Sequence, residues 1–169
     1  MNAFAHLLIS AILIGLGATL VFDMWGQWLK LAFNIPPSNI CLVGRWVLYM
    51  PEGIFRHRKI AAAPRKSYEC AAGWVAHYLI GVTLAIVFVA MAGNDWLQRP
   101  MLIPAVAFGI VTVLAPFAIL QPAFGLGFAA SHTPNPAQAR VRSLLNHVAF
   151  GVGIYLFAWL AKWLLHSPG

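Results

Sequence analysis

Three ionisable residues, Asp23, His77 and His147, stand inside long apolar stretches of the sequence. A titratable side chain in such a setting costs at least about 2.5 kcal/mol in lipid, so it marks a site by default and calls for a partner. A carboxylate and two imidazoles can do three kinds of chemistry. They can ligate a transition metal such as iron or zinc, and two facing imidazoles can ligate a haem. They can relay a proton or bind a transported substrate. They can also hydrogen-bond to one another and fix helix packing as a polar clasp. No HxxH or HxxxH pair is present, so the grouping rests on depth and face alone.

The elements that position these residues follow from composition and periodicity. The chain has 169 residues, 61% hydrophobic and only 9% charged, with a mean hydropathy of +0.78. A soluble domain carries about 25% charge, and a chain this short cannot hide the difference in a core. The expected class is an all-α integral membrane protein, a bundle of four transmembrane helices in one domain over residues 1–169. The spans are expected at about residues 4–30, 69–92, 100–120 and 137–165. A basic cytoplasmic loop, residues 31–68, joins the first two. Within it, Ile40 to Met50 is apolar but too short to cross, which predicts an interfacial or re-entrant helix. Pro104 and Pro116 break the third helix, and Gly125-Leu126-Gly127 continues it as irregular backbone that protein must shield. Met1-Asn2-Ala3-Phe4-Ala5-His6 lacks a basic leader, so the first apolar stretch is expected to remain as a helix.

Small residues recur at helical spacing beside each polar group. Ala11, Gly15, Thr19, Asp23 and Gly26 form one stripe, and Cys70, Gly73, His77, Gly81 and Ala85 another. Arg140, Ser143, His147, Gly151, Ile154 and Ala158 share a face of the fourth span. Such stripes let backbones approach, so the polar groups belong to packed faces. At 1.5 Å per residue, Asp23, His77 and His147 all fall roughly 10–15 Å inside the same membrane face. Gln121, Asn146, Ser143 and Tyr78 lie near that level as supporting polar groups.

The net charge of +7 is concentrated. Lys30, Arg45, Arg56, Arg58, Lys59, Arg65, Lys66, Arg140 and Arg142 flank one side of the spans; Arg99 and Lys162 flank the other. The positive-inside rule puts the basic side in the cytoplasm and both termini in the periplasm of a multi-pass bacterial inner-membrane protein. Anionic lipid headgroups are the expected partners, with Arg45, Arg140 and Arg142 as contacts. No aromatic–basic interleaving points to nucleic acid. Cys41 and Cys70 form no CxxC and fall on the cytoplasmic side, so two reduced thiols are expected.

Several motifs together resemble a bacterial inner-membrane family catalogued as domain of unknown function 2938. They are Gly17-Ala18-Thr19 through Asp23-Met24-Trp25, Gly44-Arg45-Trp46, Gly73-Trp74 with His77-Tyr78, Gln121-Pro122 with Gly125-Leu126-Gly127, Thr133-Pro134-Asn135-Pro136, and Arg140 with Ser143, Leu144 and His147. The resemblance implies four inner-membrane spans and carries no activity.

The preferred reading is a membrane protein that binds a transition metal or haem b, with possible redox chemistry, through His77 and His147. Asp23 serves there as ligand or as the group orienting a ligand. The alternative is a small proton-coupled transporter or channel using the same residues. A domain this short would then form a homo-oligomer to enclose a path. Ser143 and His147, one turn apart, lack an oxyanion hole, so no catalytic residue is assigned.

Overall fold

The computed structural model describes residues 3–166, and among them it contains helices and no strand. The long helices are α1 (Ala3–Phe33), α3 (Glu69–Gln98) and α6 (Pro136–His166). The short helix α2 (Ile40–Tyr49) occupies the first connection. The third apolar segment opens as α4 (Leu102–Thr112), passes through a π-helical turn at Pro116–Leu120, and closes as α5 (Gln121–Ala123). Proline has no N–H to donate, and a widened turn is a common way for a helix to absorb that loss. Four segments are long and apolar enough to cross a membrane: Ala5–Phe33, Glu69–Gln98, Leu102–Ala123 and Pro136–Leu165. Their outward side chains are apolar, with Leu31 85% and Ile103 82% exposed.

Local sequence explains the helix ends. Asn34 takes a left-handed conformation (φ 55°), and the Ile35 N–H reaches back to the Leu29 carbonyl, closing α1 before Pro36 and Pro37. Asn39 caps α2, its side-chain oxygen accepting from the Cys41 N–H at 3.1 Å.

The chain divides into two compact units. The first holds the described residues of Met1–Pro37, Tyr78–Val111 and Asn146–Gly169. Its core includes Ile14, Ala18, Ala85, Phe88, Phe150 and Ile154. The stripes of small residues meet here. A Cβ on Gly15 would come within 2.5 Å of Val82 Cα, and one on Gly81 within 1.9 Å of the Thr19 hydroxyl. Thr19 in turn donates to the Gly15 carbonyl at 2.8 Å. Gly151 lies as tightly on Ala105 and Val106 of α4. Contacts this close substitute for the hydrophobic effect, which has little purchase between helices in lipid.

The second unit holds Ser38–His77 and Thr112–Leu145. Here α2 crosses the first turns of α3. A Cβ on Gly44 would stand 1.8 Å from the Glu69 carbonyl oxygen, and one on Gly73 2.2 Å from that of Ile40. A disulfide joins Cys41 to Cys70, with their Cα atoms 4.0 Å apart. The expectation of two reduced thiols is therefore corrected: the crossing that the two glycines permit brings the sulfurs within bonding reach. The loop after α2 is pinned by backbone bonds, His57 N–H to the Ala123 carbonyl at 2.8 Å and Ile60 N–H to that of Phe124 at 3.1 Å. Ile60, Ala123 and Phe124 form this unit's buried core.

Candidate functional site

In the first unit, α1 presents Asp23 on the turn after Thr19, and α3 presents Tyr78 one turn before Val82. The Tyr78 hydroxyl donates to Asp23 Oδ2 at 3.2 Å. Both side chains are half-buried. Tyr78 also contributes to an apolar cleft of about 370 Å³ between α1 and α6, whose wall includes Leu16, Gly17, Leu20 and Phe157.

His147 belongs to the same unit but is engaged in packing. Its ring stands edge-on to Phe22 with centroids 6.0 Å apart, and the imidazole hydrogen-bonds to the backbone of Gly109. Asn146 beside it is 6% exposed, and its Oδ1 has no hydrogen-bond partner among the described residues. His77 lies in the second unit, edge-on to Trp74 at 5.9 Å. Also in that unit, the Gln121 amide donates to Ser143 Oγ at 3.3 Å, while buried Gln121 Oε1 has no hydrogen-bond partner among the described residues. Among the described residues, no three side chains of His, Cys, Asp and Glu are grouped so as to hold a metal ion.

The arginines divide by environment. Arg45 is 5% exposed, so its expected contact with a lipid headgroup is corrected. Its Nε and Nη2 grip the two oxygens of Glu69 at 2.7 and 2.8 Å, and its Nη1 reaches the carbonyls of Ile60 and Ala63 at 3.1 and 2.9 Å. The hydrogen bond with Glu69 raises the Arg45 pKa above its already high ordinary value. Arg140 is exposed, and its Nε donates to the Ala129 carbonyl at 2.8 Å. Arg142 is half-buried.

Sequence reasoning passed over Glu69 and treated the cysteines as inert. A signal was present: Cys41, Gly44 and Arg45 on one helix mirror Glu69, Cys70 and Gly73 on the other, with the same three-residue step from cysteine to glycine. That step is one helical turn, so each cysteine and glycine share a face.

No curated protein and no solved structure matches the chain. A family model does match, over residues 12–161, and the chain accordingly belongs to the family described as a protein of unknown function (DUF2938).

Proposed function

We propose that this is an inner-membrane protein that moves a proton through the Asp23–Tyr78 pair, in the manner of a small proton-linked transporter or channel. The observation that carries the reading is the 3.2 Å bond between a carboxylate and a phenol donated by two different membrane-length helices. A carboxylate inside a span is costly to keep and useful chiefly for taking up and releasing a proton. The phenol can orient it and follow its charge state as donor. This reading is preferred to metal or haem chemistry because, among the described residues, no three side chains of His, Cys, Asp and Glu are grouped to hold a metal ion.

The basic unit is proposed to face the cytoplasm, with the termini on the opposite side. Eight of the chain's Lys and Arg residues fall within Ser38–His77 and Thr112–Leu145, against Glu52 and Glu69, a net +6 of the total +7. Exposed Arg56, Arg58, Lys59 and Arg140 then meet anionic headgroups.

The test is proton flux into liposomes holding the purified protein, driven by a potassium diffusion potential and read by an internal pH dye. The wild type should acidify the lumen faster than empty liposomes, Asp23→Asn should lose the excess, and Tyr78→Phe should reduce it. Equal flux through wild type and Asp23→Asn sinks the reading. A Soret band in the purified protein would restore haem.

A further inference from the structure

The disulfide and the charge distribution point to opposite compartments. Structural disulfides persist on oxidising sides of membranes, whereas the basic unit that holds this one is the part expected on the reducing side. Disulfides in reducing compartments are usually transient and either catalytic or redox-sensing. The surroundings of Cys41 and Cys70 fit that class.

Each cysteine is the second residue of its helix, Cys41 in α2 and Cys70 in α3. The positive end of the helix dipole stabilises a thiolate there. The unit that holds both cysteines carries the net +6. Cys70 is exposed and Cys41 half-buried, so an incoming thiol meets Cys70 first. The disulfide is also not the only tie between the two helices. The Arg45–Glu69 pair and the Gly44 and Gly73 contacts hold α2 on α3 independently. Reduction thus leaves the two sulfurs as neighbours, ready to rejoin.

From this we infer that Cys41 and Cys70 form a redox-active site that exchanges with a small thiol or dithiol. A thiolate attacks Cys70 Sγ, the bond to Cys41 breaks, and its electron pair leaves on Cys41 as a thiolate. The mixed disulfide on Cys70 is resolved by a second thiolate, which attacks the sulfur of the bound thiol and releases Cys70. The protein disulfide gains two electrons, the two thiols become one disulfide, and their two protons pass to Cys41 and Cys70 or to solvent. The compartment argument rests on the orientation proposed above, while the exchange chemistry does not.

The experiment equilibrates the full chain in lipid nanodiscs with mixtures of reduced and oxidised glutathione, quenches with acid, and labels free thiols with a maleimide–polyethylene glycol. The wild type should shift by two adducts as the mixture becomes more reducing and return when the ratio is reversed, with its helical circular dichroism unchanged. Cys41→Ser should trap a glutathione on Cys70, seen by mass spectrometry. A wild-type disulfide that stays closed in excess reduced glutathione, while opening in denaturant with the same thiol, overturns the proposal and makes the bond a staple. The wild-type titration needs no variant to fold. In a parallel arm, intact cells receive a reductant and a membrane-impermeant maleimide. Labelling only after permeabilisation supports the orientation. Labelling without it overturns the orientation and the compartment argument, and leaves the glutathione titration to decide the exchange.

Discussion

Arg45 and Glu69 are 24 residues apart in sequence and meet in a two-pronged ion pair, Nε to Oε2 at 2.7 Å and Nη2 to Oε1 at 2.8 Å. The planar guanidinium matches the carboxylate, and its remaining donors take the carbonyls of Ile60, Ala61 and Ala63. One side chain thereby fixes the helix crossing and the loop between the helices. Removing one partner strands a buried charge. Glu69→Gln should cost about 3–5 kcal/mol, read as a lowered Tm in detergent. Joint replacement by Arg45→Met and Glu69→Leu leaves no stranded charge and should cost less, about 1–3 kcal/mol for the buried Ile60 carbonyl left unpaired. A double variant as unstable as Glu69→Gln would contradict this account.

The latch should also resist alkali. Arg45 is a base whose pKa is raised in the folded state, so its contribution is complete below the ordinary guanidinium pKa and is lost only as pH climbs through the still higher folded value. Unfolding midpoints of wild type and Arg45→Lys, followed from neutral pH to about pH 11, should diverge, because lysine loses its proton in that window.

Two glycines give opposite forecasts for the same substitution. Gly44→Ala places a methyl 1.8 Å from a backbone oxygen, which cannot turn aside. It should displace α2, with a loss beyond the usual overpacking range of about 1–3 kcal/mol and with free thiols appearing at Cys41 and Cys70. Gly17→Ala meets the ring of Phe157 at 2.0 Å, and that ring is the end of a side chain. Pairing it with Phe157→Leu should recover most of the lost stability, whereas no neighbouring side-chain truncation should rescue Gly44→Ala.

His147 is placed as a packing residue. His147→Phe keeps the edge-on contact with Phe22 and loses the bond to Gly109, so it should cost about 1–2 kcal/mol and leave proton flux intact. His147→Ala opens a cavity and should cost about 2–5 kcal/mol. Flux abolished by His147→Phe in a protein of normal Tm would make the imidazole part of the proton path.

Ala129 and Ala130 both hold left-handed backbone, φ 47° and 59°, beneath Arg140. That conformation costs an alanine about 1–2 kcal/mol. Ala130→Gly should therefore leave Tm unchanged or raise it, where alanine to glycine in a helix lowers it. A clear drop would show that the methyl's packing outweighs the strain.

The sequence alone determined the membrane class, the four apolar segments and the packed faces of α1 and α3. Those properties are local: hydropathy needs only a window, and a stripe such as Gly15 and Thr19 or Gly81 and Ala85 needs only a period of 3.6 residues. Which polar group Asp23 would meet was decided by tertiary structure. His77 and Tyr78 are consecutive, and one residue of helix turns a side chain by about 100°. Depth leaves the facing of Tyr78 open, and the rotation of α3, set by Gly81 and Val82 against Thr19 and Gly15, turned the phenol to Asp23. The clasp around Arg45 and the Cys41–Cys70 bond likewise join residues 24 and 29 positions apart. Such pairings depend on how a loop closes, and no local period encodes that closure.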